Sequence, residues 1–141
     1  MRRLAQLRSL RLTQALVLRV DAVSNGSLAL FLLAASWDDL YELFGLPLPE
    51  PPFYAQLLGA VLVAFVLLEW TLAGTAAERA VTFAATVGSA LAAAILVSWL
   101  VAGETGADPH GEIALWSIAA FLALAAVVHA VVLLRATRGG P

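Results

Sequence analysis

Four apolar segments of membrane-spanning length constrain this chain more than any other feature of its sequence. About 20 predominantly apolar residues allow a helix to cross the hydrocarbon core of a bilayer, and the segments cover residues 14–36, 53–73, 80–102 and 113–134. Hydrophobic residues make up 62% of the chain and charged residues 13%, whereas a soluble domain has about half and a quarter. The sequence therefore predicts an all-α integral membrane protein, a single antiparallel four-helix bundle over residues 1–141.

The first segment follows a basic stretch, MRRLAQLRSLR, which is also typical of a cleaved signal peptide. The apolar run after it is longer than a signal peptide requires, and it is interrupted by Arg19 and Asp21. We therefore interpret it as a transmembrane helix. The absence of cysteine excludes thiol chemistry, and we do not interpret the use of arginine alone as basic residue as phosphate recognition, so no nucleic-acid partner is predicted.

The arginines outside the spans all lie on one side of the predicted bundle. They are Arg2, Arg3, Arg8, Arg11, Arg79, Arg135 and Arg138, whereas the other two loops carry Asp38, Asp39, Glu42, Glu50, Glu104, Asp108 and Glu112. Basic residues in short loops stay on the cytoplasmic side. The sequence thus predicts a multi-pass protein of the cell inner (plasma) membrane with both termini cytoplasmic and the acidic loops external.

The first acidic loop, SWDDLYELFGLPLPEPP, contains the signals of a short helix. Ser36 and Asp39 have the spacing of a capping box, and Gly45 followed by Pro47 would end the helix. Trp37, Leu40, Tyr41 and Phe44 would share one face. This pattern predicts an interfacial helix over residues 37–44 on the outer leaflet.

Close helix packing in a membrane depends on small residues, because lipid removes the hydrophobic drive between helices. Ala84, Gly88 and Ala92 recur every four residues in the third span, and we expect them to pack against neighbouring helices. Alanine is also abundant in this chain, so composition alone is an equally good explanation. The fourth span has similar residues at Ala119, Ala123, Ala125 and Ala126.

Polar residues interrupt the first span in the stretch LRVDAVSNGS. Asp21, Ser24 and Asn25 share one helical stripe, whereas Arg19 lies about 200° around the helix from Asp21. Arg19 is close enough to the cytoplasmic end to extend its side chain to the interface. The side chain of Asp21 is shorter and cannot reach the interface as well. Placing its carboxylate in hydrocarbon costs on the order of 3 kcal/mol or more. We therefore expect Asp21 to face the bundle.

Partners at a similar depth come from the other three helices. We predict a buried polar cluster of Asp21, Asn25, Glu69 and His129 in the inner half of the bundle, with Arg19 at its cytoplasmic rim and within reach of Glu69. The third span adds a hydroxyl stripe of Thr82, Thr86 and Ser89. Two interpretations stay open: a satisfied hydrogen-bond network that fixes helix register, or a protonatable site.

Other chemistry has weak support in the sequence. His110 and Glu112 could hold a divalent cation, but two ligands without further fixed spacing favour a solvated loop. A bis-histidine haem site would need both histidines at one depth, whereas His110 and His129 are predicted to lie at opposite sides of the membrane. A triad of Ser24, His129 and Asp21 lacks a nucleophile elbow. We therefore predict no catalytic site, no metal site and no cofactor, and a protein that is not an enzyme.

Two stretches resemble a class of small, uncharacterised bacterial four-span membrane proteins. One is LFGLPLPEPPFYAQLLGAVLVAF, residues 43–65, with its Gly-Leu-Pro loop and Gln-Leu-Leu-Gly helix start. The other is the Arg-x-Asp-Ala opening of the first helix, in LRVDAVSNGSLAL. The resemblance covers about half of the chain. The resemblance implies the four-span fold and supplies no activity or functional residues.

The leading hypothesis for function is association within the bilayer, as an accessory or structural subunit of a membrane complex or as a homo-oligomer. Its partners would be lipid and other membrane subunits or a second copy of the chain. The alternative is a small proton-coupled transporter, although one-sided arginines predict a single orientation and so argue against the antiparallel dimers of small multidrug exporters. A third possibility is a lipid- or quinone-binding protein that uses the same Asp, Glu and His cluster.

Overall fold

A computed structural model describes the backbone of residues 2–138 and the side chains of residues 13–136. Throughout this part of the chain the regular structure is helical, which confirms the predicted all-α class. The helices are α1 (Arg2–Leu33), α2 (Asp38–Leu43), α3 (Phe53–Leu72), α4 (Glu78–Ala102) and α5 (Pro109–Arg138).

Four of these helices are long and apolar enough to cross a membrane, as predicted. The candidate spans are Thr13–Leu33, Phe53–Leu72, Glu78–Ala102 and Pro109–Ala136. The helix α1 runs without a break for 32 residues, about 48 Å at 1.5 Å per residue, which exceeds the roughly 30 Å hydrocarbon core. Its amino-terminal part therefore extends beyond the hydrocarbon. We call this end of the bundle, which also holds the α3–α4 turn, the basic end, and the opposite end the acidic end.

The four long helices form two closely packed pairs, α1 with α3 and α4 with α5, and the contacts between the pairs are fewer. Gly59 allows α3 to approach α1, because a β-carbon there would lie 2.9 Å from the carbonyl oxygen of Ala29 and 3.0 Å from the backbone nitrogen of Leu33. Small residues thus bring these two backbones together, as expected for helices in lipid.

The short helix α2 folds back against the acidic end of α1. Tyr41 is buried with Ala35 and Ala55, and the ring centroids of Phe31 and Tyr41 are 4.7 Å apart. The aromatic face is only partly covered, since Trp37 remains 61% exposed. The predicted short helix is therefore present, as Asp38–Leu43, and Tyr41 anchors it to the bundle; its position at the membrane interface stays a prediction.

The predicted capping box of α2 is wrong. Its N-cap is Trp37, with no side-chain cap hydrogen bond, because Ser36 belongs to the turn that ends α1 and so lies one residue too early. The predicted end is correct. Gly45 has a φ of 64°, its amide donates to the carbonyl of Glu42 at 2.9 Å, and the Leu46 amide donates to that of Tyr41 at 3.0 Å, which is a Schellman ending.

The two acidic loops are joined to each other by backbone contact. The amide of Asp108 donates to the carbonyl oxygen of Gly45 at 3.0 Å, and the amide of Gly111 donates to Asp108 Oδ1 at 2.8 Å. This contact links the two helix pairs at the acidic end.

The predicted packing role of the small-residue row on α4 is wrong within the bundle. Ala84, Gly88 and Ala92 are exposed, and a β-carbon added at Gly88 would meet nothing within 4 Å. The buried face carries Val81, Thr82, Ala85, Ser89, Ala93 and Leu100 instead. The hydrogen bond from Gln14 on α1 to Thr82 holds this face inward, so the row of small residues faces outward.

Candidate functional site

The buried face of α1 carries the first half of the polar cluster. Gln14, Leu18, Asp21 and Asn25 are spaced four, three and four residues apart, so they lie on one stripe of the helix. Leu18 is fully buried and Asp21 is 4% exposed. The same periodicity that packs Leu18 against the bundle therefore carries Asp21 inward.

Asp21 and His129 connect the two helix pairs. His129 Nε2 lies 3.7 Å from Asp21 Oδ2, and the side chains are 1% and 4% exposed. This distance is within the range of an ion pair and longer than a good hydrogen bond. Within the described residues, Asp21 Oδ2 and both ring nitrogens of His129 have no hydrogen-bond partner.

Glu69 and Asn25 form the other half of the cluster. Glu69 is fully buried, and Asn25 Nδ2 donates to its carboxylate oxygens at 3.5 and 3.4 Å. The carboxyl group of Asp21 is also a neighbour of Glu69. The structure thus brings together all four side chains predicted to converge: Asp21, Asn25, Glu69 and His129.

Arg19 lies outside this cluster. Its side chain is exposed, and its guanidinium carbon lies 5.7 Å from the centroid of the Trp70 ring, a cation–π distance. Among the described residues it does not pair with Glu69, so the predicted contact is absent. Trp70 follows Glu69 on α3 and points about 100° away from it, on the same outward side as Arg19.

A second polar set lies nearer the basic end and includes residues that the sequence analysis missed. Gln14 Nε2 donates to Thr82 Oγ1 at 3.1 Å, Thr82 Oγ1 donates to the carbonyl oxygen of Glu78 at 2.8 Å, and the Gly74 amide donates to Glu78 Oε2 at 2.8 Å. Gln14 and Glu78 could have been identified by their spacing. Gln14 precedes Asp21 by seven residues, and Glu78 precedes Thr82 by four.

A groove of about 240 Å³ lies between α1 and α5. Its lining is apolar; Asp21 and His129 border it, but Asp21 Oδ2 and the ring nitrogens of His129 are buried away from it. Leu16, Val20 and Leu124, at its mouth, are 62%, 57% and 62% exposed. The mouth is on the outer surface of a span, so the groove opens toward the lipid.

Other candidate groups stay apart from the cluster. The Ser24 hydroxyl donates to the carbonyl oxygen of Val20 at 3.1 Å, which keeps it within its own helix. His110 and Glu112 are exposed at the start of α5. Within the part of the chain that the structure describes, no three His, Asp or Glu side chains gather as a metal site.

Comparison with protein-family models, with curated proteins and with solved structures found no match to this chain. The resemblance to small four-span proteins therefore stays a prediction. The site must be interpreted from its own geometry: two buried carboxyl groups, a buried imidazole and a partly buried amide, beside an apolar groove on the outer surface of the bundle.

Proposed function

We propose that this protein is a non-enzymatic membrane subunit that acts by association with other transmembrane helices. The observation that supports this is the outward row of Ala84, Gly88 and Ala92 on α4. Small residues at every fourth position let a second helix approach closely. Space is available there, since nothing lies within 4 Å of the position a β-carbon would take at Gly88.

The test compares two substitutions of similar size on α4. Gly88→Leu fills the row, and Ala90→Leu adds bulk at an exposed position outside it. We expect affinity purification after mild solubilisation, at native expression, to lose the partner or second copy with Gly88→Leu and to keep it with Ala90→Leu. A wild-type protein that runs as a monodisperse monomer without any partner would overturn the proposal.

The orientation that accompanies this proposal has both termini in the cytoplasm of a cell with an inner membrane. It is supported by the arginine distribution, with Arg79 in the basic end and acidic residues in the opposite loops. The chain has no cysteine, so single cysteines can report the side. A membrane-impermeant maleimide should label Glu104→Cys in intact cells and Ala76→Cys only after permeabilisation; the reverse pattern contradicts the orientation.

A second candidate function is favoured by the polar cluster itself. Asp21, Glu69 and His129 are titratable groups from three helices, and such groups inside a membrane often serve proton movement or ligand binding. A proton-coupled transporter, or a protein that binds lipid or quinone, would use them. In proteoliposomes, a substrate gradient should drive a change in internal pH that Asp21→Asn abolishes. If no gradient does so, proton-coupled transport is excluded for the substrates tested.

A further inference from the structure

The guanidinium of Arg19 is a positive charge on the outer surface of a membrane span. Its side chain is exposed, and its guanidinium carbon lies 5.7 Å from the centroid of the Trp70 ring. The structure describes the side chains of all ten Asp and Glu residues of the chain, and none of them forms an ion pair with Arg19. Arginine stays protonated in proteins. Its counter-charge must therefore come from outside this part of the chain.

Trp70 places this charge at the depth of the lipid headgroups of one leaflet. It lies two residues before Leu72, where the candidate span of α3 ends at the basic end, about 3 Å along the helix axis. Tryptophan rings favour this interfacial depth, and a long arginine side chain reaches it from a deeper backbone position. The anion that a phospholipid bilayer supplies there is the phosphate of a headgroup.

The surface one turn deeper in the membrane fits an acyl chain. Val23 follows Arg19 by four residues on α1, and Leu67 precedes Trp70 by three on the antiparallel α3, so both lie on the same helix faces as the polar pair. Their side chains are 62% and 59% exposed. A phosphate bound at Arg19 therefore has an apolar surface directly below it, which suits a lipid and offers nothing to a free phosphate ion.

The chemistry of this pair favours an anionic lipid over a zwitterionic one. The planar guanidinium can donate two parallel hydrogen bonds to a phosphate, and the indole N–H of Trp70 is a further donor. Arg79 and Arg135 are also exposed at the basic end, which adds positive charge to this side of the bundle. A zwitterionic lipid carries its own ammonium group, which competes with Arg19 for the phosphate.

We propose that Arg19 and Trp70 form a binding site for the phosphate of an anionic phospholipid in the leaflet at the basic end. An acyl chain of that lipid lies over Val23 and Leu67. The alternative counter-charge is an acidic side chain of a partner protein, and the experiment below separates the two. The site is independent of the proposed association, which uses α4.

The experiment uses Trp70 itself as the reporter. The other three tryptophans, Trp37, Trp99 and Trp116, are exposed toward the acidic end, so replacing them with Phe leaves Trp70 as the single indole. The full-length protein is reconstituted into vesicles that mix phosphatidylglycerol with phosphatidylcholine, and the acyl chains of one lipid at a time carry bromine. Bromine quenches the fluorescence of an adjacent indole, so the quenching shows which lipid lies against Trp70.

We expect phosphatidylglycerol to be enriched about 5-fold over phosphatidylcholine at Trp70, the effect of one basic residue near an anionic headgroup. Arg19→Gln should abolish the enrichment. Arg79→Gln is the matched control, because it removes the same charge from an exposed position at the same end, and it should keep the enrichment. Inorganic phosphate, added at constant ionic strength, should not displace the lipid.

Four results would overturn the proposal. Equal quenching by the two lipids would leave the acidic side chain of a partner as the counter-charge. Enrichment that survives Arg19→Gln would exclude this arginine, and equal losses in Arg19→Gln and Arg79→Gln would show a diffuse field instead of a site. Displacement by inorganic phosphate would exclude a role for the acyl chain.

If Arg19→Gln does not fold, brominated diacylglycerol decides in the protein that retains Arg19, because it has the same chains without the phosphate. Absence of enrichment then supports the site, and enrichment equal to that of phosphatidylglycerol overturns it. These measurements use purified protein without a partner, so their failure is distinct from failure of the association.

Discussion

At the residue scale, the contact between Asp21 and His129 links the two helix pairs through side chains. It joins α1 to α5 across the loosely packed boundary between the helix pairs, with 3.7 Å between Nε2 and Oδ2. Interhelical polar contacts in membranes contribute modestly, because side chains of the unfolded state in lipid also find partners. Its contribution is therefore measurable without being dominant.

We expect Asp21→Ala to lower the free energy of unfolding in detergent by about 1 to 2 kcal/mol, the scale of a lost interhelical polar contact. Denaturant titration followed by circular dichroism measures it. Combining Asp21→Ala with His129→Ala in a double-mutant cycle isolates the pair. Asp39→Ala, at an exposed site, should stay within about 0.5 kcal/mol. Strict additivity of the two cluster substitutions would contradict an interaction between them.

The burial of the Tyr41 hydroxyl can be tested through the pH dependence of the free energy of unfolding. Its hydroxyl is buried and has no hydrogen-bond partner within the described residues, and burial raises the pKa of the phenol. The unfolded chain ionises Tyr near pH 10, while the folded chain keeps the proton to higher pH. The free energy of unfolding should therefore fall as pH rises above about 10.

We expect Tyr41→Phe to remove this alkaline decline and to raise the free energy of unfolding at neutral pH by about 1 kcal/mol, because an unsatisfied hydroxyl is lost. The chain contains no lysine or cysteine and only two tyrosines, so little else titrates in that range. Tyr54→Phe is the matched control, since Tyr54 is 67% exposed. A decline that persists in Tyr41→Phe would assign it to another group.

The members of the cluster could be predicted from the sequence because depth along a span follows from residue count. Asp21, Glu69 and His129 lie 8, 3 and 7 residues from the ends of their spans at the basic end, and none can face lipid cheaply. The partner of Arg19 could not be predicted in this way. Which of two adjacent residues, Glu69 or Trp70, faces it depends on the rotation of α3, and the length of a span does not report its rotation.

At the element scale, the approach of α3 to α1 depends on Gly59. A methyl group there would meet the Ala29 carbonyl oxygen at 2.9 Å and Leu33 Cγ at 3.0 Å. Since one of these contacts is backbone, the helices themselves would have to separate. The packing of α3 against α1 at Gly59 thus excludes even the smallest side chain.

We expect Gly59→Ala to lower the free energy of unfolding by about 1 to 3 kcal/mol through overpacking. Gly88→Ala is the matched control, because it makes the same change in a span where nothing lies within 4 Å. Its stability should be unchanged or rise by up to about 1 kcal/mol, from the helix propensity of alanine. Thermal unfolding of the two variants side by side gives the comparison, and equal effects would contradict close packing at Gly59.

The rotation of α4 about its own axis shows why the buried face of a helix is harder to predict than its position in the sequence. Its sequence contains two candidate packing stripes, the small residues Ala84, Gly88 and Ala92 and the mixed stripe through Thr82, Ala85 and Ser89. Both satisfy the steric requirement for close approach. The hydrogen bond from Gln14 to Thr82, 3.1 Å long, stabilises burial of the stripe through Thr82. That bond depends on a residue 68 positions away in the chain.

At the scale of the whole molecule, the bundle is two hairpin-like halves held together mainly through α1. Its polar side chains meet α5 at His129 and α4 at Thr82, and the backbone contact of Asp108 with Gly45 joins the acidic ends. Lipid provides no hydrophobic drive for docking the halves. The polar contacts therefore specify how they fit.

A chain divided in the α3–α4 turn should reassemble. We expect co-expressed fragments 1–75 and 76–141 to copurify through a tag on one of them, because each contains one closely packed pair. Asp21→Ala and Gln14→Ala together should abolish copurification, while Asp39→Ala should not. Fragments that never associate would show that the covalent turn, rather than the polar contacts, holds the halves together.

The order of synthesis gives the cluster a further consequence. Asp21 and Glu69 enter the membrane with the first half, whereas His129 lies near the end of α5 and arrives last. Until then the two acids lie at a lipid-exposed boundary, where each is costly. An incomplete nascent chain thus displays polar groups that the finished protein conceals, which is the feature by which membrane quality control can distinguish an unfinished bundle from a complete one.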